Sequence, residues 1–163
     1  MNRTPAARRP ADSRVTMTEL VIPEDTNPHG NIFGGRVMAL IDKAAAVVGM
    51  RHCRTQVTTA SVDSLTFLSP IRLGSIMILE ARIHNVFRSS MEVGVRVESE
   101  DPLTGEKRHT TTALVTMVSI DREGNPIPAP PLLLESEEDH RLAREASERR
   151  AARIRGRDAG RKT

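Results

Sequence analysis

The residues best suited to chemistry lie in one stretch, from Asn27 to Asp42. A polar turn there leads into a glycine pair, Gly34-Gly35, which opens a helix-like segment. The first amides of a helix have no partners within the helix, and the helix dipole favours negative charge at that end. Glycines at this point would let a carbonyl oxygen approach those amides. The pair therefore indicates either an oxyanion site or simply a tight loop-to-helix transition.

Asp42 is the candidate catalytic carboxylate, in the middle of the predicted helix. Its neighbours on that helix face are apolar or small, namely Met38, Ala45, Ala46 and Gly49. Charged side chains are rarely buried unless they are paired. An acid on this face is a candidate general base or nucleophile, and a salt-bridged or solvated acid is the alternative. Asn27 is either an ordinary turn residue or an amide that orients water or holds a carbonyl.

The remaining candidates give weaker signals. Arg88-Ser89-Ser90 places a cation and two hydroxyls in one turn, which suits a phosphate or amide contact or an ordinary hairpin. Cys53 has basic neighbours that would lower its pKa, although a lone cysteine there is more often inert. His29 lies in a polar loop and is expected to be solvated. The sequence has no metal-ligand spacing and no nucleotide-binding glycine pattern, so we expect neither a metal nor another cofactor.

A helix beginning near Phe33 and ending near Arg51 must position these residues. Its apolar positions follow a period of 3.6 residues and predict a buried stripe formed by Val37, Leu40, Ile41, Ala44 and Val48. The segment is apolar on most sides, so we expect it to be enclosed rather than half exposed.

Five segments read as strands, because they are rich in β-branched residues or alternate between apolar and polar side chains. They are Val15–Ile22, Val57–Phe67, Ile76–Val86, Met91–Val97 and His109–Asp121. Short turns require antiparallel pairing. The sequence therefore predicts an α+β fold, with one long helix and the last four strands in a meander. Dimerisation would cover the sheet edges.

The two ends of the chain carry the positive charge. Residues 1–14 have a net charge of +3 and residues 135–163 of +2, whereas residues 15–134 have −2. We predict a disordered basic tail over 1–14, a folded domain over 15–132 and a charged helical arm over 133–163, either solvated or docked. Basic ends can contact nucleic acid or membranes, but a solvated end is the simpler interpretation.

The amino-acid composition argues against several classes of protein. With three phenylalanines and no Trp or Tyr, the chain is unlike nucleic-acid modules that stack bases. No apolar run approaches the ~20 residues of a membrane span. The single cysteine indicates a reducing compartment, and we expect a cytoplasmic protein that binds neither nucleic acid nor a bilayer core.

The order of motifs resembles that of the hotdog-fold acyl-CoA thioesterases, the YciA-type and brain acyl-CoA hydrolase group. The first matching motif runs from Asn27 to Asp42 and consists of Asn27, Gly30, Phe33-Gly34-Gly35, Met38 and Asp42. Further matches follow in order, namely Thr58-Thr59 with Val62-Asp63, Phe67-Leu68-Ser69-Pro70-Ile71, Arg88-Ser89-Ser90-Met91, and the closing segment from Val118 to Pro128. The resemblance covers about residues 15–132.

This resemblance implies a helix wrapped by a curved antiparallel sheet, paired into homodimers or trimers of dimers. It implies hydrolysis of acyl-CoA, with Asp42 as catalytic carboxylate and Asn27 contributed by the facing subunit. The Gly34-Gly35 amides would polarise the thioester carbonyl. Arg88, Ser89, Ser90 and Thr59 would contact substrate.

Two other activities are known for domains of this kind of fold, hydration of an enoyl thioester and binding of acyl-CoA without cleavage. Hotdog hydratases have a histidine five residues after their aspartate, where this chain has Val47, so hydration of an enoyl thioester is disfavoured. A hotdog domain that binds acyl-CoA without cleaving it stays open, because fold does not fix function.

Overall fold

A computed structural model describes residues 5–63 and 65–160, with side chains up to residue 156. Two short 3-10 turns, Pro10–Ser13 and Pro23–Asp25, flank the first strand. The helices and strands, in chain order, are β1 (Val15–Leu20), α1 (Gly34–Cys53), β2 (Gln56–Asp63), β3 (Ile76–Val86), β4 (Ser90–Glu100), β5 (Lys107–Ile120) and α2 (Glu137–Gly160).

The five strands form one antiparallel sheet in the order β1-β3-β4-β5-β2. The predicted four-strand meander is correct for β3, β4 and β5 but wrong for β2, which pairs with β5 at the edge. The connection from Asp63 to Ile76 is long enough to cross β5 and β4, so β3 lies on their other side and does not pair with β2. The later connections are short turns that join neighbouring strands. Strand β2 also ends earlier than predicted, and Ser64 lies outside the described residues.

Helix α1 packs its predicted stripe against the inner face of the sheet. All five stripe residues are buried, as are the alternate residues Met77, Leu79, Ala81 and Ile83 of β3 and Met91, Val93, Val95 and Val97 of β4. The apolar stripe of the helix, with its period of 3.6 residues, and the alternate apolar residues of the strands, with a period of 2, therefore form one core. Among the described residues, no helix is long and apolar enough to span a bilayer.

The opposite face of α1 is open in a single chain. Met38 remains 46% exposed and Met50 is also exposed, while Asp42 is half-buried between them. The expectation of an enclosed helix is therefore wrong for one chain, because the five strands cover only one side of α1. Strand β2, with the exposed side chain of Val62, forms the adjacent sheet edge.

The predicted disorder of residues 1–14 is wrong for residues 8–14. The backbone of Arg8 bonds to Pro131 O at 2.9 Å, and its guanidinium donates to His52 O at 2.5 Å. Pro10 and Ser13 are buried. Arg8 satisfies carbonyls that every helix leaves unpaired at its C-terminus, and this explains the order. Residues 1–4 lie outside the described residues.

Helix α2 docks on the outer face of the sheet, which decides between the solvated and docked alternatives for the arm. Its apolar contact is small, comprising the buried residues Leu142, Ala143 and Ala146. Ion pairs and the hydrogen bonds that Asn85 donates to Ala143 O and Ser147 Oγ add to it. Arg82 binds Asp139 at 2.5 Å, and Arg153 binds Asp63 at 2.6 Å. The helix spans Glu137–Gly160 of the arm predicted over 133–163, and residues 161–163 lie outside the described residues.

Candidate active site

The start of α1 presents two backbone amides without acceptors. Phe33 is the N-cap and makes no side-chain cap. The first intrahelical bonds are donated by Arg36 and Val37 to Phe33 O, and the N–H groups of Gly34 and Gly35 bond to no described residue. Space beside Gly35 is open, since a Cβ built there meets nothing within 4 Å. These amides are free to donate to a ligand oxygen.

Asn27 lies in the turn that leads to this helix start. Its Oδ1 accepts hydrogen bonds from the backbone N–H of His29 at 3.0 Å and of Asn31 at 3.3 Å. Its Nδ2 donates to no described residue. The side-chain oxygen therefore fixes the turn, and the NH₂ group is available for another partner.

Asp42 bonds to a residue on the neighbouring strand. The hydroxyl of Thr59, on β2, donates to Asp42 Oδ1 at 2.5 Å. Strand β2 is an edge strand, and Thr59 is exposed. The hydrogen bond fixes one carboxylate oxygen and leaves the other without a bond to a described residue. The resemblance suggested substrate contact for Thr59, whereas the structure gives it a direct bond to the carboxylate.

The two halves of the predicted site are separated within one chain. Asp42 follows Gly34 by eight residues in a continuous α-helix, which corresponds to about 12 Å along the axis at 1.5 Å per residue. A thioester carbonyl held by the first amides is therefore out of reach of the carboxylate of the same chain. Asn27 and the glycine pair lie at the start of the helix, and Asp42 with Thr59 lies at its middle.

The Arg88–Ser90 turn lies two strands away from the β2 residues beside Asp42. Its backbone is held by Ser119 N to Ser89 O at 2.8 Å and Ala129 N to Arg88 O at 3.0 Å. Ser90 pairs with Val118 on β5, which pairs in turn with Thr58 on β2. Two strand spacings amount to about 10 Å. The side chain of Arg88 is exposed and available to a ligand.

Sequence reasoning missed one charged cluster, centred on Glu92 of β4. Its carboxylate is fully buried and is bound by Arg149 at 2.7 Å and His84 at 3.3 Å, with Arg153 at 3.9 Å. Burial alone would raise its pKa, but the hydrogen bonds from His84 and Arg149 and the charge of Arg149 lower that pKa to about 2. The alternation of β4 placed Glu92 on the polar face, and nothing in the local sequence indicated burial under α2.

The other candidates take no part in this site. Cys53 is buried, and burial raises the pKa of its thiol, contrary to the lowering that its basic neighbours suggested. His29 is exposed, and its backbone N–H takes part in the Asn27 turn. The described residues contain no group of three or more His, Cys, Asp or Glu side chains arranged to hold a metal.

The sequence matches known proteins along most of its length. Residues 29–106 match the family model described as the thioesterase superfamily. An uncharacterized acyl-CoA thioester hydrolase of Bacillus subtilis is 41% identical over 146 residues, covering 90% of this chain and 85% of that protein. The rat cytosolic acyl coenzyme A thioester hydrolase is 36% identical over 84% of this chain, which spans only 36% of that longer protein.

Solved structures agree with these matches. A hexameric acyl-CoA thioesterase in its apo form superimposes with a TM-score of 0.88 at 42% identity, covering 92% of this chain and 96% of that one. An acyl-CoA hydrolase from Staphylococcus aureus, solved with butyryl coenzyme A and coenzyme A, gives 0.87 at 33% identity, covering 96% and 95%. That enzyme was also solved as alanine variants of an asparagine, an aspartate and a threonine, spaced 15 and then 17 residues apart.

Proposed function

The chain belongs to the thioesterase superfamily, with the hotdog fold, and is a thioester hydrolase; from that premise we propose that it hydrolyses acyl-CoA to a carboxylic acid and CoA at a site shared by two copies. The separation of about 12 Å between the helix-start amides and Asp42 carries this proposal. In one copy Gly34 and Gly35 bind the thioester oxygen. The facing copy supplies Asp42.

The open face of α1 supports pairing of two copies. Met38 and Met50 on α1 and Val62 on β2 leave apolar surface beside Asp42 and along a sheet edge. Exposed edges and apolar faces are usually covered in stable proteins. A homodimer across this face, alone or within a trimer of dimers, would bring the carboxylate of one copy towards the helix start of the other. The hexameric relative is consistent with such an assembly.

In the composite site, the helix-start amides of one copy and Asp42 of the other have different chemical roles. The amides of Gly34 and Gly35 stabilise the oxyanion as the tetrahedral intermediate forms, a contribution of about 3–4 kcal/mol per donor in comparable sites. Asp42 either takes a proton from the attacking water or attacks the carbonyl to form an anhydride that water then hydrolyses. In both routes the C–S bond breaks and CoA leaves as the thiol after protonation.

Asn27 and Thr59 complete the proposed site. The free Nδ2 of Asn27 suits a contact with the thioester carbonyl or the attacking water, and the hydroxyl of Thr59 orients the carboxylate of Asp42. These two residues and Asp42 have the spacing, 15 and then 17 residues, of the three positions varied in the Staphylococcus aureus hydrolase. The shared spacing supports assigning all three to one site.

The nucleotide end of CoA is assigned to the turn formed by Arg88, Ser89 and Ser90. A guanidinium and hydroxyls are suitable partners for phosphate oxygens, and the side chain of Arg88 is exposed. No metal or redox cofactor is required by this scheme. A cytoplasmic location stays a prediction, in keeping with the rat relative described as cytosolic.

A thiol-release assay separates this function from acyl-CoA binding without cleavage. The wild-type protein should liberate CoA from straight-chain acyl-CoA. Asp42→Asn should bind the same substrate with similar affinity and release CoA at least about 10³-fold more slowly, as expected for loss of a base or nucleophile. Equal turnover by the variant, or no CoA release by the wild type, would reject the assignment.

A further inference from the structure

A cavity of about 310 Å³ opens at the start of α1, beside Gly34, the first of the two residues with an unpaired amide. Its apolar wall is formed by Ile32, Phe67, Leu68 and Ile71, and Gly34 also lines it. The segment that carries Phe67 connects β2 to β3, and the sequence predicted it as the end of a strand. The proposed hydrolysis uses none of these four side chains.

The ring of Phe67 lies directly on Gly34. A Cβ built on Gly34 would be 3.2 Å from Phe67 Cε2, closer than most van der Waals contacts, and 3.4 Å from Cζ. The backbone that holds the ring is anchored to β5, since Leu68 N donates to Thr110 O at 2.8 Å and Ser69 Oγ donates to His109 O at 3.0 Å. The ring itself is still 45% exposed. It is therefore a positioned apolar surface that faces the cavity.

The location of Phe67 determines which part of a bound acyl-CoA its ring would contact. If the amides of Gly34 and Gly35 hold the thioester oxygen, as in the proposed function on which this inference rests, the oxygen lies about 3 Å from an amide nitrogen. The first carbons of the acyl group then lie within a few ångströms of Gly34, in the space bounded by Phe67. An apolar wall suits a hydrocarbon, whereas the pantetheine arm carries amides that need hydrogen-bond partners when buried.

We propose that Phe67 contacts the acyl group next to the thioester carbon and sets how much bulk is accepted there. Because the ring lies at the carbonyl end of the cavity, it discriminates branching at the first acyl carbons rather than total chain length. Straight-chain acyl groups pass the ring, and a methyl branch beside the carbonyl collides with it.

The test compares kcat/KM for isobutyryl-CoA and butyryl-CoA, which differ in branching at the carbon beside the carbonyl. In Phe67→Ala the ratio of isobutyryl to butyryl should rise about tenfold or more, within the range that one methyl group commands in an apolar pocket. Leu73→Ala is the matched control, because Leu73 is similarly exposed, at 48%, and lies in the same connection but not on the cavity wall. Its ratio should equal that of the wild type.

Several outcomes would overturn the proposal. An unchanged ratio in Phe67→Ala, with butyryl-CoA still hydrolysed, contradicts it directly. If Phe67 instead mediates contact between copies, the variant loses oligomeric mass and turns over both substrates more slowly by the same factor, which also contradicts it. Should Phe67→Ala fail to fold, Phe67→Leu must show the raised ratio. Failure of the proposed function is distinct, since wild-type protein would then hydrolyse neither substrate.

Discussion

The hydroxyl of Thr59 donates a 2.5 Å hydrogen bond to Asp42 Oδ1 and thereby connects edge strand β2 to the middle of α1. The bond fixes one oxygen of the half-buried carboxylate, and the other oxygen bonds to no described residue. It makes Thr59 a positioning residue in the proposed reaction. A substrate-binding role and a positioning role predict different kinetics.

Replacing Thr59 separates these two roles. Thr59→Ala should lower kcat about 10- to 100-fold, because a misoriented carboxylate reacts more slowly, while KM changes little. Thr59→Ser keeps the hydroxyl and should retain most of the wild-type kcat. Steady-state kinetics with one straight-chain acyl-CoA decide the matter. A raised KM with unchanged kcat in the alanine variant would instead support direct substrate contact.

The helix-start amides can be tested one at a time at Gly35. Gly35→Pro removes the N–H, and proline is tolerated in the first turn because that amide has no helical acceptor. Its kcat should fall about 10²- to 10³-fold, the usual cost of one oxyanion donor. Gly35→Ala keeps the N–H and has open space for its Cβ, so it should turn over at close to the wild-type rate. Similar rates for both variants would exclude Gly35 from the oxyanion site.

The ion pair between Glu92 and Arg149 should dominate the attachment of α2. Arg149→Ala leaves the buried Glu92 carboxylate with weaker partners, and the free energy of unfolding should fall by about 3 kcal/mol. Arg141→Ala is the control, because its ion pairs on the same helix are exposed and screened by solvent, so the loss should be much smaller. Urea titrations measure both. Equal losses would show that α2 is held by its apolar contacts.

The same carboxylate should make stability depend on pH. The folded pKa of Glu92 is about 2, below its ordinary value of 4.5, because His84 of β3 and Arg149 of α2 bind the ionised form, with Arg153 nearby. Its stabilising contribution is complete above pH 4.5 and is lost as the pH falls towards 2. Unfolding titrations at pH 7, 4.5 and 3 should show a steeper loss for the wild type than for Glu92→Gln, in which this group no longer titrates. Parallel losses would contradict the assigned role.

Periodic elements of this fold were predictable because each carries its own pattern. The stripe from Val37 to Val48 and the alternation of β3 were read correctly, since burial on one face fixes both. The edge position of β2 was not predictable from pattern alone. It depends on how the connection after Asp63 crosses the sheet. Pairing between strands far apart in the sequence, such as β2 and β5, is not encoded in the local residue pattern.

The candidate site likewise has a part that the sequence predicts and a part that it does not. Asp42 and the glycine pair stood out because their residue types are unusual for their positions. The bond from Thr59 and the ring of Phe67 over Gly34 were not predicted, because both are tertiary contacts between segments far apart in the chain. The sequence does not predict the docking of α2 for a related reason, since its buried partner, Glu92, lies on a strand face whose pattern indicates exposure to solvent.

Mixing two inactive variants tests the shared site most directly. Asp42→Asn lacks the carboxylate and Gly35→Pro lacks an oxyanion donor, so each alone should release little CoA. If each site takes its amides from one copy and Asp42 from the other, a mixed dimer contains one intact site and one doubly defective site. Co-expression of the two variants in equal amounts should then restore about a quarter of the wild-type kcat, as random pairing of copies predicts. No recovery above the separate variants, in oligomers shown to contain both chains, would contradict the account.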